Sequence, residues 1–131
     1  MTGASHFITG AAAGKLTGNI WLAVLAGFFV HILADAVPHW DYGYHFKKTK
    51  LSIAIAALDP CIGILITLLV VGLDGVIGAS DIIALVGGFA SLIPDVIETG
   101  INLFSIKALQ WYSDLHEKIH WFLPVFPWFY E

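Results

Sequence analysis

His31 and Asp35 stand four residues apart in an apolar run, and His116 and His120 repeat that interval near the other end of the chain. Residues at this spacing share one helix face, so each pair can offer two donors to a metal ion from one rigid element. Asp95 and Glu98 are three apart, His6 comes early, and His39 and Asp41 follow directly on Pro38. Imidazole and carboxylate are the ligands that zinc accepts, with manganese or iron as alternatives. A divalent ion so held lowers the pKa of bound water and generates a hydroxide nucleophile. The metal set expected from these residues is His6, His31, Asp35, His39, Asp95, His116 and His120, holding one or two ions. Asp41, Asp59 and Glu98 are the spare carboxylates, expected to act as general base or to orient a ligand histidine.

Elements of unusual composition must position these groups. Hydrophobic residues make up 58% of the 131 and charged residues only 12%, with a mean hydropathy of +0.82. A water-facing domain carries about 25% charged residues, so lipid is expected to cover much of this chain. The net charge is −4, and all six cations are lysines in no basic stripe, so no nucleic-acid partner is expected. Cys61, the only cysteine, reads as a buried thiol.

Five segments follow along the chain. A small-residue stretch from Gly3 to Leu16 is broken by Gly18-Asn19, and Ile20 to Val37 closes at Pro38. Leu51 to Val71 is the clearest membrane span, interrupted by Asp59-Pro60, and Val76 to Ile97 returns with a break expected at Pro94. Ile101 to His120 is amphipathic and suits the membrane interface. The last residues, WFLPVFPWFYE, have the aromatic character of a headgroup anchor. The expected fold is all-α: one domain, 1–131, of about four membrane-embedded helices plus one interfacial amphipathic helix. Lys47, Lys48 and Lys50 mark the cytoplasmic side of a bacterial or archaeal cytoplasmic membrane.

Depth then becomes the decisive quantity. At about 1.5 Å of rise per residue, His31 lies about 10 Å inside the lysine-bearing face, Asp35 about 5 Å, His6 about 8 Å and Asp59 about 12 Å. Asp95 and Glu98 return to the same level, whereas Asp74 and Asp81 belong to the opposite end. Ionisable groups at membrane depth are costly and generally functional. A duplicated helix pair would also explain the echo between DAVPHWDYG and SLIPDVIETG.

ASHFITGAAAG, HILADAVPHWDYG, GGFASLIPDVIETG and LHEKIHW together resemble the YdjM-like family of membrane-bound metal-dependent hydrolases. His6, Asp95, His116 and His120 match that family's motifs in kind and order. The HxxxD of His31 and Asp35 is similar to a segment of zinc-dependent phospholipases C. The resemblance implies metal-dependent hydrolysis at the membrane face, with a lipid-borne ester or phosphoester as substrate and membrane lipids as partners. Residues alone also allow a small divalent-cation or proton-conducting protein, or a scaffold whose polar groups only join helices.

Overall fold

The structure, a computed structural model, describes residues 2–39, 50–72 and 75–120. Among these, five α-helices form: α1 (Gly3–Thr17), α2 (Ile20–Asp35), α3 (Lys50–Val71), α4 (Ala79–Phe104) and α5 (Gln110–Ile119). A single 3-10 turn, Lys107–Leu109, leads into α5, and no strand occurs among the described residues. The all-α class is therefore observed. The terminal aromatic stretch, Asp41 and Asp74 lie outside the described residues.

Local chemistry sets the helix ends. Gly18 closes α1 in the left-handed region (φ 63°), where a residue without Cβ is unstrained. Asn19 Oδ1 then accepts from the Trp21 and Leu22 N–H groups at 2.9 and 3.1 Å, satisfying donors that a helix start leaves open. The chain thus reverses over two residues and lays α2 against α1.

The short first helix turns out to be the centre of the bundle. α1 packs against α4, α2 and α3, while α3 meets the rest mainly through α1. Its small residues permit this. A Cβ on Gly14 would lie 2.9 Å from Gly87 Cα, and one on Gly27 of α2 would strike the Gly87 carbonyl. Three backbones therefore meet at Gly87, the close approach that small residues allow between helices. Ser91 Oγ fixes the register of α1 on α4 by donating to the His6 carbonyl at 2.6 Å.

Two expectations about the later segments need correction. Pro94 lies inside α4, which continues unbroken to Phe104. The chain turns instead at Ser105, which adopts a left-handed conformation (φ 52°). Ile101, expected in the last helix, thus belongs to α4, and the amphipathic helix starts only at Gln110. The two proline motifs consequently do different jobs, since Pro38 follows the end of α2 and Pro94 sits within a helix. No structural repeat follows from their similarity.

Burial is distributed in an unusual way. The interior holds His6, His31, Asp35, Ser91 and His116 beside a small apolar cluster of Phe7, Ala11 and Ala84. Large apolar side chains such as Leu25, Phe29 and Leu33 of α2, Leu65 and Leu69 of α3, and Phe89 and Val96 of α4 are exposed. Cys61, expected inside, is exposed as well. Only α4 among the described helices is long and apolar enough to cross a membrane, while Ile20–Asp35 and Ala57–Val71 are shorter apolar stretches.

Candidate metal centre

Asp35, in the last turn of α2, is fully buried and surrounded by imidazoles. His31 Nε2, one helical turn back, lies 2.9 Å from Asp35 Oδ2. From α5, His116 Nε2 lies 3.3 Å from the same oxygen. His120 Nε2, at the C-cap of that helix, lies 2.7 Å from it. His6 Nε2 of α1 sits 3.0 Å from Asp35 Oδ1, and its ring stacks on His31 with centroids 4.0 Å apart. Asp95 of α4 completes the group, its Oδ1 3.5 Å from His31 Nε2 and 4.0 Å from His116 Nε2.

Four of these residues, His31, Asp35, Asp95 and His116, each present one donor atom within 4.8 Å of all the others. This cluster could hold a metal ion. Two donors at about 2.0–2.1 Å from a tetrahedral ion lie about 3.3 Å from each other. The contacts of His31 with Asp35, Asp95 and His116, and of His116 with Asp35 and Asp95, run from 2.9 to 4.0 Å and bracket that edge length, while the Asp35 and Asp95 donors lie within 4.8 Å of each other.

A purely hydrogen-bonded core accounts for the same contacts poorly. His31 Nε2 and His116 Nε2 are 3.0 Å apart while both also face Asp35. Each ring nitrogen carries at most one hydrogen. If both are protonated, their hydrogens collide; if one donates to the other, its bond to the carboxylate is lost. A cation between them satisfies both nitrogens and the carboxylate at once. The Nδ1 atoms of His6 and His31 are buried with no hydrogen-bond partner among the described residues, so neither ring is oriented from behind by a hydrogen bond there.

His116 is held differently. Its Nδ1 lies 2.7 Å from Glu98 Oε2, and the other Glu98 oxygen accepts from Ser113 Oγ at 3.2 Å. Asn102 Nδ2 in turn donates to Ser113 Oγ at 3.2 Å. A carboxylate behind a ligand histidine fixes its tautomer and direction. Burial alone would push the His116 ring toward neutrality, but hydrogen bonds to Asp35 and Glu98 prevail and raise its pKa to about 9. An ion that takes Nε2 must displace that proton, so uptake strengthens as pH rises toward this value. Glu98→Gln is expected to weaken metal affinity about 10–100-fold. It should also move the pH dependence of uptake downward, because one of the two groups holding the proton is gone. Chelator competition at several pH values checks both effects.

The other expected residues fall into place around this core. His39 Nε2 lies 3.9 Å from Asp35 Oδ1, and its Nδ1 is 2.6 Å from the Val37 carbonyl. Asp59 has a backbone role. Its Oδ2 accepts from the Ala4 N–H at 2.9 Å, capping the start of α1 and steadying the helix that carries His6. Asp81 lies at the other end, paired with Lys15 at 2.9 Å. Ser113 and Asn102 were not legible as site residues. Ser113 stands three residues before His116, on the same helix face, and that interval was the available signal.

Sequence and structural comparisons add nothing to the geometry: no family model, no curated protein and no solved structure matches the chain.

Proposed function

We propose that the protein is a membrane-bound metal-dependent hydrolase acting at the cytoplasmic membrane face on a lipid-borne ester or phosphoester. One observation carries this reading. Donors from α2, α4 and α5 lie within 4.8 Å of one another, in contacts that an ion would satisfy more fully than hydrogen atoms alone. Zinc is the first choice for two imidazoles and two carboxylates, with manganese or iron next. Such an ion supplies a water acidified toward neutral pH and polarises a carbonyl or phosphoryl oxygen.

The residues divide the remaining work. His31, Asp35 and His116 are buried, with side chains 0–4% exposed, whereas the Asp95 side chain is 37% exposed. Substrate would therefore approach over Asp95, the most exposed of the four residues that would hold the ion, whose carboxylate could also accept a proton. Glu98 is a positioning residue for His116. The resemblance to YdjM-like hydrolases supports the reaction class, and the inverted burial pattern, with ionisable groups inside and large apolar side chains outside, supports a lipid environment.

Ion conduction is the weaker reading. A conducting path needs polar groups across the full thickness, yet Phe7, Ala11 and Ala84 form an apolar plug between the histidine cluster and the Lys15–Asp81 pair. Elemental analysis of detergent-purified protein beside His31→Ala and His116→Ala tests the proposal. A stoichiometric metal that drops in both variants is expected, followed by cleavage of a lipid phosphoester by the wild type alone. A folded wild type that stays metal-free after reconstitution with zinc and with manganese would sink it.

A further inference from the structure

α5 turns its polar side inward. Its buried residues, Ser113 and His116, are both polar, and they tie it to the bundle through Glu98, Asn102 and Asp35. Trp111 and Leu115, one turn apart, are instead 62% and 52% exposed. At about 3.6 residues per turn, α5 thus has three faces. Ser113 and His116 look toward the site, Trp111 and Leu115 look outward, and Gln110, Asp114 and Glu117 form an exposed polar side. A helix of ten residues falls short of the about 12–15 at which isolated helices become even marginal in water, and helices in proteins draw most of their stability from packing an apolar face. Among the described residues α5 buries no apolar side chain. Its apolar face must therefore be covered from outside the bundle.

The neighbouring helix indicates the cover. α4 is long and apolar enough to cross a membrane and ends at Phe104. Leu103 and Phe104 are exposed, so its apolar surface runs up to the Ser105 turn that sends the chain back toward α5. α5 thus starts where such a span leaves the hydrocarbon, the level that Trp side chains prefer. Lys107 and Lys118, both exposed, flank the helix and suit the anionic headgroups that attract lysine. We propose that the Trp111–Leu115 face of α5 seats in the headgroup–acyl boundary of an anionic bilayer, and that this seat holds His116 against Asp35. A short helix lying in the interface plane with its apolar face down is a known way to engage lipid. Here the opposite face of the same helix carries a site residue. The inference rests on the membrane-bound part of the reading above and is independent of the metal and of the reaction.

Nitroxide labels on Trp111→Cys, Leu115→Cys, Glu117→Cys and Val96→Cys, each in the full chain with Cys61→Ala, test the seat in nanodiscs of phosphatidylethanolamine and phosphatidylglycerol. Electron paramagnetic resonance reads whether oxygen from the lipid or an aqueous nickel chelate reaches each label. Oxygen is expected to dominate at Trp111 and Leu115, as at the exposed Val96 of α4, and nickel at Glu117. Nickel reaching Leu115 as readily as Glu117, with Val96 still in lipid, would overturn the seat and leave the membrane-bound reading standing. Shielding of Leu115 from both reagents would overturn it too, because a second copy or another segment of the chain would then cover the face. Nickel at Val96 would remove both readings together. The hold on His116 is read by hydrogen exchange of Leu115→Glu in the same nanodiscs. Its α5 amides are expected to exchange about 10-fold faster than in the wild type, the effect of losing one partly buried leucine, while α1 and α4 stay protected. Leu115→Ala supplies the same comparison should α1 and α4 loosen as well. Wild-type protection of α5 in both variants would overturn the link between seat and site.

Discussion

The Asp35→Asn variant is expected to lose most of its capacity for metal, with affinity reduced about 100- to 4,000-fold. Asp35 is the one residue that every imidazole of the cluster faces. An amide keeps the shape but removes the charge, and it turns one acceptor into an NH2 donor. Breaking a buried charge pair by removing one partner costs about 3–5 kcal/mol, and every 1.4 kcal/mol is about a factor of ten in affinity. The amide nitrogen would also point at an imidazole or at the ion, whichever oxygen it replaces. Competition with a chromophoric chelator measures the loss. Wild-type affinity in this variant would mean that the ion is held elsewhere or not at all. Loss of metal with retained helical content is the informative result, because the helix contacts around Gly87 do not involve Asp35.

The second large effect concerns those contacts. Gly87→Ala is expected to destabilise the bundle by about 3 kcal/mol, the upper part of the range for overpacking. Its new Cβ would strike the Gly10 carbonyl and lie 2.8 Å from Gly14 Cα, and both obstacles are backbone with no rotamer to yield. Gly100→Ala in the same helix is the matched control. Nothing lies within 4 Å of a Cβ there, so this change should be neutral or stabilise by up to about 1 kcal/mol through helix propensity. Thermal melts of the two variants in one detergent separate the cases. Equal melting temperatures would refute the close approach of three backbones at Gly87.

These two residues also mark what the sequence reveals and what it conceals. The convergence at Asp35 was legible, because depth along each segment is a matter of counting residues and because i,i+4 pairs lie on one face. The central place of α1 was not. Its glycines and alanines give a weak apolar signal, and a short segment reads as marginal when length is the criterion. The Gly10-xxx-Gly14 spacing was the available clue to a helix that others approach closely. Pro94 misled in the opposite direction, since a proline ordinarily breaks a helix. The turn occurs instead at Ser105, whose left-handed backbone no residue-type rule favours. Asp59 illustrates a third limit. A carboxylate at the right depth can serve a neighbouring helix's free N–H groups instead of an ion, and only the partner's position tells which.

The donors to the cluster are scattered along nearly the whole chain, from His6 in α1 to His116 in α5. During synthesis Asp35 and its first imidazoles emerge long before Asp95, and α5 emerges after both. A half-made chain would therefore hold a buried carboxylate with an incomplete set of partners. The four-donor group is complete only once α5 has been made and has folded back onto α4. If the cluster holds an ion, metal content would be a chemical record of completed assembly, because a chain that stalls before α5 lacks His116 and His120.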